Sequence, residues 1–176
     1  TKGVKAEEMP IQFKNYLIRN WAESDRTIAA NVVKTVLEEY GLGWESGCCG
    51  GSDQDVVEVE KYYQQAGGEF WVVEQIDAQT DRRIVGTGGY HPIERGNQAV
   101  EIRKMYLLPA ARGQGLGRFL LAQLEQAAAK NGFAEAWVET ATVLKEAVVL
   151  YEKNGYRQMS GVETDRCDRV YSKSLC

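Results

Sequence analysis

Glycine is concentrated in residues 112–118, where every second residue from Gly113 to Gly117 is glycine. A strand-like apolar run precedes this segment and leucines at helical spacing follow it, so it joins a strand to the start of a helix. The first N–H groups of a helix have no partner within the helix, and with the helix dipole they attract anions. Glycine lets the backbone approach such a guest closely. With Arg112 and Arg118 adding positive charge, the segment predicts a site for a diphosphate group.

Two common phosphate-binding signatures do not fit this segment. A dinucleotide-binding turn reads GxGxxG, but Arg118 stands where the last glycine belongs, and the GxxxxGK[ST] motif is absent. The GxSxG and HExxH motifs of serine hydrolases and zinc proteases are absent as well. The residues alone therefore leave two alternatives, a site for another diphosphate ligand or a tight strand-to-helix turn that binds nothing.

The surrounding residues resemble the signature of an enzyme superfamily. Residues 101–117 form an apolar strand that ends near a proline, and Arg112, Gly115 and Gly117 follow at the positions of an Arg/Gln-x-x-Gly-x-Gly/Ala turn. Residues 147–156 form a helical stripe that ends in a tyrosine and is followed by a glycine–aromatic pair. In this order, the two motifs resemble the GNAT superfamily of acetyl-CoA-dependent N-acetyltransferases. Outside these motifs the resemblance extends only to the order of elements.

The resemblance implies how acetyl-CoA binds as cosubstrate, with its diphosphate on the glycine-rich turn. The pantetheine arm pairs with the strand before the turn, and the Leu107 N–H donates to the thioester carbonyl, where negative charge develops. The family often has an asparagine at the position of Leu144, so that contact is either missing here or replaced by a neighbour such as Thr140 or Lys145. The residues assigned to the cosubstrate are Met105, Tyr106, Leu107, Arg112, Gly113, Gln114, Gly115, Leu116, Gly117, Arg118 and Thr140.

The same resemblance assigns two catalytic residues. Tyr151 matches the tyrosine that protonates the departing CoA thiolate, and its alternative is an aromatic residue of the core. Glu101 matches a glutamate that removes the proton of the attacking amine. Alternatively, Glu101 is a solvated carboxylate on a strand or an ion-pair partner of Arg103. In that case a water relay would act as the base. These roles imply direct attack by a primary amine of a small molecule or peptide in a ternary complex. The alternative function is a non-catalytic CoA-binding or regulatory domain.

Composition narrows the remaining classes. The chain has 176 residues, 44% hydrophobic and 26% charged, which is typical of one globular domain, with residues 1–10 expected as a flexible extension. A net charge of −4 argues against nucleic-acid binding, and no apolar run could span a membrane. Two of the four cysteines, Cys48 and Cys49, are adjacent, and the single histidine, His91, is expected in a hairpin, so no metal site is predicted. We expect free thiols, a cytoplasmic location and a monomer or homodimer.

The elements that position these residues follow from periodicity and turn signals. Their order indicates a mixed α/β (α+β) domain with a GNAT-like, largely antiparallel sheet and helices on both faces. Ser52 and Asp55 predict a capping box. Residues 41–51, with Trp44 and Glu45, predict an acidic wall or lid where the acceptor enters, between the N-terminal helical pair and the final strands. Strands are predicted at residues 12–20, 70–73, 84–90, 99–108, 134–139, 156–159 and 169–172, and helices at 24–40, 52–66, 116–130 and 144–153.

Overall fold

The computed structural model describes residues 8–45, 52–77 and 82–176. The strands within this part of the chain are β1 (Ile11–Phe13), β2 (Tyr16–Asn20), β3 (Glu69–Ile76), β4 (Arg82–Ile93), β5 (Ala99–Leu107), β6 (Glu135–Thr140), β7 (Arg157–Met159) and β8 (Arg169–Ser174). The α-helices there are α1 (Arg26–Glu39), α2 (Gln54–Val57), α3 (Leu116–Lys130) and α4 (Lys145–Lys153).

The strands form one sheet in the order β1-β2-β3-β4-β5-β6-β8-β7. All neighbouring strands are antiparallel except β5 and β6, which run parallel. The predicted mixed, largely antiparallel sheet is therefore confirmed. The single parallel pair exists because α3 connects β5 to β6 and returns the chain to the starting edge.

Apolar stripes on the helices cover both faces of this sheet. On one face, Leu120 and Leu124 of α3 are fully buried in a cluster that also contains Tyr151 of α4. On the other face, Val33 and Leu37 of α1 pack in a second cluster with Val72 of β3. Because β3 is covered on both faces, its residues form a continuous apolar run rather than an alternating one.

A β-bulge interrupts the pairing of β4 with β5. Thr87 pairs with Tyr106 and Gly89 pairs with Arg103, so one residue of β4 faces two residues of β5. Lys104 lies in the bulge with a φ of 53°, and the Thr87 hydroxyl donates to its carbonyl oxygen at 2.7 Å. A bulge bends its strand and redirects side chains. Here it places Lys104 on the same face as Arg103, towards α2.

Beyond its first three residues, β5 leaves β6. The two strands pair only where Ala99, Val100 and Glu101 meet residues 135–137. Residues 102–107 continue along β4, whereas residues 138–140 of β6 continue along β8. The backbone edges of both strands are consequently open to the space between them.

Several sequence predictions need correction at the N-terminal end. Residues 12–20 form two strands rather than one, because the chain turns at Lys14, whose φ is 51°. The predicted second helix is broken into α2 and a π-helical turn at Glu60–Gln64. The Ser52 hydroxyl donates to Glu45 instead of capping α2, so the predicted capping box is wrong.

His91 lies within β4, paired with Glu101 of the next antiparallel strand, so it is a residue of a β-hairpin as predicted. Burial, with the nearby charge of Arg103, lowers the pKa of His91 to about 4. The imidazole is therefore neutral at physiological pH.

Other expectations concern absences or residues outside the described ranges. No helix in the described ranges is long and apolar enough to cross a membrane, and no cluster of metal-ligating residues occurs there. Cys167 and Cys176 are free thiols. Cys48 and Cys49 lie outside the described residues, as does most of the extension predicted at residues 1–10.

Candidate active site

The space between the diverging strands is a cleft of about 350 Å³. The open edges of β5 and β6, the end of α1 and the start of α4 form its walls, and the glycine-rich turn lies at one end. The residues assigned from the sequence that line it are Glu101, Met105, Tyr106, Leu107, Arg112, Gly113, Gly115, Gly117, Arg118, Thr140 and Tyr151. The fold thus brings the predicted cosubstrate and catalytic residues to one continuous surface.

The backbone of β5 offers hydrogen-bonding groups to this cleft. The Leu108 N–H donates to Val85 of β4 at 2.8 Å. Because backbone groups alternate in direction along a strand, those of Leu107 and Met105 point the other way, towards the opening. The Leu107 carbonyl accepts a hydrogen bond from Arg112 Nε at 2.9 Å, which agrees with this direction.

The glycine-rich turn presents backbone N–H groups at the start of α3. Gly113 and Gly115 have φ values of 75° and 87°, a region that side chains other than glycine rarely adopt. Gly115 is the N-cap, so the N–H groups of residues 116–118 have no acceptor within the helix. No atom lies within 4 Å of a Cβ placed on Gly113, so the turn is open to an approaching group. The Leu116 side chain is buried in the core, which leaves its N–H as its contribution to the cleft.

The side chains of the turn are less available than the sequence suggested. Both terminal nitrogens of Arg112 donate to Glu39, at 2.8 and 2.7 Å, and its guanidinium lies 5.6 Å from the centre of the Tyr40 ring. Gln114 donates to the Tyr16 hydroxyl at 2.8 Å. Arg112 therefore connects the glycine-rich turn to α1, and the charge of its guanidinium is largely neutralised by Glu39.

A second group of cations lies next to the turn. Arg118 borders both the main cleft and a shallow depression beside α4 that Lys145 and Lys153 also line. Glu146 lines both as well, so the surface from the start of α3 along α4 carries three cations and one carboxylate. The arrangement favours a ligand with more than one phosphate.

Tyr151 lies in the wall of the cleft, and its ring packs against Tyr156 with a centroid distance of 5.5 Å. The Tyr151 side chain is thus part of the core, which was the alternative left open by the sequence. One edge of its ring also reaches the cleft. Burial raises the pKa of Tyr151, so the phenol is protonated at physiological pH. Within the described residues no group hydrogen-bonds to its hydroxyl, which is free to meet a ligand.

Glu101 faces the cleft at the point where β5 and β6 part. Its side chain is 12% exposed, and Arg103 Nε lies 3.5 Å from its Oε1. Burial raises the pKa of Glu101, against the opposing effect of Arg103. Glu139 also lines the cleft, but it accepts bonds from the N–H groups of Glu163 and Thr164. Glu101 is therefore the less compensated of the two carboxylates.

A buried ionic network behind Arg103 was missed by the sequence analysis. Lys104 Nζ lies 3.4 Å from Asp53 and 3.2 Å from Asp55, and it donates to the Ser52 carbonyl at 2.8 Å. Arg166 pairs with Asp53 at 2.7 Å. These cations line the cleft. Residues 46–51 of the acidic wall or lid predicted at residues 41–51 lie outside the described residues, so that expectation stays a prediction. The one available signal was the polarity of residues 103–104 within an apolar strand.

Cys167 also lines the cleft, together with Tyr151 and Arg166. Burial raises its pKa to about 11, with a further contribution from Glu139. A thiol with that pKa is protonated at neutral pH, and the protonated form is a poor nucleophile.

A comparison with protein families identifies this architecture. The model of the family described as "Acetyltransferase (GNAT) family" matches residues 34–156, which include the turn, both diverging strands and Tyr151. The chain belongs to the GNAT family. The resemblance inferred from the two motifs is confirmed, and the enzyme is an N-acetyltransferase.

Curated relatives of this GNAT enzyme carry the same description. It is 34% identical to the uncharacterized N-acetyltransferase YjgM of Escherichia coli (strain K12) over 144 residues, 81% of this chain and 83% of the relative. It is 26% identical to N-acetyltransferase 8F1 of Rattus norvegicus over 107 residues, 59% of this chain and 46% of that protein. The chain thus spans less than half of the rat relative, but most of the bacterial one.

Solved structures share the GNAT fold. An acetyltransferase of the GNAT family from Staphylococcus aureus Mu50 superposes with a TM-score of 0.78 at 20% identity, covering 92% of this chain and 99% of that one. A spermidine N-acetyltransferase from Vibrio cholerae, in complex with CoA and spermine, gives 0.64 at 16% identity, covering 93% and 97%. YncA from Salmonella typhimurium, solved with its cofactor acetyl-CoA, gives 0.68 at 17% identity, covering 93% and 95%.

The raised pKa of Cys167 predicts slow alkylation. At pH 8 a thiol with a pKa near 11 is only about one-thousandth thiolate, so iodoacetamide should modify Cys167 far more slowly in the native protein than in urea. Peptide mapping by mass spectrometry separates Cys167 from the exposed Cys176, the internal control. The native rate should rise about tenfold per pH unit from pH 7 to pH 9. A plateau below pH 9 would contradict the shift.

Proposed function

We propose that this enzyme transfers the acetyl group of acetyl-CoA to a primary amine by direct attack in a ternary complex. The observation that carries the proposal is the single cleft that joins the anion-binding turn, the open edge of β5, Tyr151 and Glu101. Direct transfer requires donor and acceptor to lie side by side, and a continuous cleft allows this. The Vibrio cholerae neighbour, which binds CoA together with spermine, supports an amine acceptor.

The cosubstrate assignment rests on the turn and on β5. The N–H groups of residues 116–118 and the positive end of α3 hold the diphosphate of CoA. Lys145 and Lys153 line the depression next to Arg118, and we propose that they contact the ribose 3′-phosphate. The open backbone of Met105 and the N–H of Leu107, whose carbonyl is bound by Arg112, pair with the amides of the pantetheine arm, as an added strand does.

Strand geometry favours Met105 over Leu107 as the donor to the thioester carbonyl. Glu101 pairs with His91 and Leu107 with Gly86, so the distance between them matches five residues of β4, about 17 Å at the usual rise of a strand. Met105 lies in the bulge opposite Gly88, so only about 10 Å separates it from Glu101, a distance that the glutamate side chain and one water can bridge. We therefore propose the Met105 N–H as the oxyanion donor, and the Leu107 N–H as a pantetheine contact.

The catalytic steps then use two side chains. The neutral amine attacks the thioester carbonyl, a C–N bond forms and the C–S bond breaks. Glu101, directly or through water, takes the amine proton, and Tyr151 gives its proton to the departing thiolate. Cys167 is the cysteine among the described cleft residues that could form an acyl-enzyme, and its protonated state argues against that route.

The assay of the function uses acetyl-CoA and a panel of primary amines, with the acetylated product identified by mass spectrometry. We expect turnover with at least one class of amine. The non-catalytic alternative predicts CoA binding by calorimetry without product from any amine. Absence of CoA binding would overturn both functions.

Substituting Gly115 should weaken CoA binding. Alanine at a positive φ costs about 1–2 kcal/mol, and relief of that strain would turn the N–H groups away from the diphosphate. We expect Gly115→Ala to raise the Kd for CoA about tenfold or more. Gly132 ends α3 with a φ of 91° and open space around its Cα, so Gly132→Ala is a matched control for strain alone. Equal CoA affinity in the two variants, by calorimetry, would argue against the turn as the diphosphate site.

Removing the Tyr151 hydroxyl should slow the chemical step. Tyr151→Phe keeps the buried ring but removes the general acid, so kcat should fall about 100-fold or more while the Kd for CoA stays close to wild type. Tyr156→Phe is the control, because its buried ring packs on Tyr151 and it is not among the described residues that line the cleft. Similar kcat values in both variants would remove Tyr151 from the mechanism.

The base predicts a pH dependence. Glu101 must be deprotonated to act, so kcat/KM should rise with pH through the pKa of Glu101, and burial places that limb above the usual glutamate value of 4.5. Glu101→Gln should lower kcat/KM about 100-fold and remove this limb. A variant that keeps both the rate and the limb would assign the proton transfer to a water relay that does not involve Glu101.

A further inference from the structure

We propose that the acceptor amine carries a carboxylate next to its amino group, as a free amino acid does, and that Arg103 binds this carboxylate. The inference rests on the proposed function, because it names the acceptor class of the same cleft. It comes from the ionic side chains on the α2 side of β5.

Three cations line this part of the cleft, and two of them are held by buried carboxylates. Arg166 binds Asp53 through both terminal nitrogens and donates to the Gly43 carbonyl at 3.1 Å, which uses three of its five N–H groups and fixes its guanidinium on Asp53. Lys104 contacts Asp53, Asp55 and the Ser52 carbonyl, so all three of its N–H groups are engaged.

Arg103 is different, because most of its donors are unused. Within the described residues its guanidinium makes one hydrogen bond, a 3.4 Å contact from Nη2 to the Ser52 carbonyl. Its Nε lies 3.5 Å from Glu101 and 3.8 Å from Asp55, and Nη1 has no partner there. The side chain is 22% exposed and lines the cleft. A planar guanidinium with free donors is suited to a bidentate carboxylate.

The contacts of Arg103 also bear on the acceptor. Lys104 and Arg166 supply the close ion pairs of Asp53, and Lys104 supplies that of Asp55. Arg103 Nε lies 3.5 Å from Glu101 and 3.8 Å from Asp55, so its free donors are available to a further carboxylate. The second cation of a polyamine would be repelled by Arg103.

The position of Arg103 fits an amino acid. It lies two residues after Glu101, about 7 Å along the strand, and Met105 follows it across the bulge at Lys104. An amine that attacks a thioester carbonyl held at Met105 would have a neighbouring carboxylate within reach of the long guanidinium. Val36, Leu42 and Tyr106 line the same part of the cleft, so an apolar side chain suits the acceptor.

The test compares matched acceptors. We expect kcat/KM for L-phenylalanine to exceed that for phenethylamine, which lacks the carboxylate, by about 10-fold to 100-fold, as charge-assisted hydrogen bonds commonly give. Arg103→Gln should abolish this preference, and the readout is the ratio of kcat/KM for the two substrates within the variant, because Arg103 also lies 3.5 Å from Glu101 and its loss can alter both rates. Arg103→Lys keeps the positive charge but cannot donate two parallel hydrogen bonds to a carboxylate, so it should keep only part of the preference for phenylalanine. Arg157→Gln, at an exposed position on β7, is the control.

Product binding separates this inference from the proposed function. Calorimetry of the CoA complex should show tighter binding of N-acetyl-L-phenylalanine than of N-acetylphenethylamine, a comparison that needs neither turnover nor a variant. Equal kcat/KM for phenylalanine and phenethylamine would overturn the carboxylate site but would still support the acetyltransferase function. No turnover with any amine, but selective binding of the acidic product, would overturn the proposed reaction and support the site. Faster acetylation of spermidine than of phenylalanine would favour a polyamine acceptor and refute the inference.

Discussion

The separation of β5 from β6 after Glu101 is the constraint on which the rest of this enzyme depends. A sheet normally satisfies the N–H and C=O groups of its inner strands by pairing. Here residues 102–107 are paired on one side only, so a row of backbone groups in the middle of the sheet is left for a ligand. The cleft, the access to Tyr151 and the exposure of Glu101 all follow from this one divergence.

The bulge at Lys104 is the second consequence of the way β5 is built. By adding a residue opposite Gly88, it turns Lys104 to the same face as Arg103 and towards the carboxylates at the start of α2. Burial lowers the pKa of Lys104, a sign of how much its charge costs in this position. Asp53 and Asp55 offset that cost, and the resulting pairs tie α2 and the segment containing Arg166 to β5. The acceptor end of the cleft is thus shaped by ion pairs, whereas the cosubstrate end is shaped by backbone.

Arg112 shows how a motif residue can differ in role from its neighbours in the motif. Its guanidinium binds Glu39 and the Leu107 carbonyl, so it joins α1, β5 and the turn into one unit. The anion site itself is made by glycine conformations and by free N–H groups. In this chain the arginine fixes where the turn lies, and the backbone determines what the turn can hold.

The sequence by itself determined the order of elements, the position of the turn and the identity of the family, because these depend on local signals. Apolar periodicity, glycine spacing and the tyrosine after the α4 stripe are all readable within short windows. It could not show that Lys14 divides the first strand or that Arg112 is occupied by Glu39, since those depend on partners distant along the chain. Only the tertiary structure brought Asp53, Arg103 and Arg166 together, because a buried charge is tolerated only where folding supplies its counter-charge.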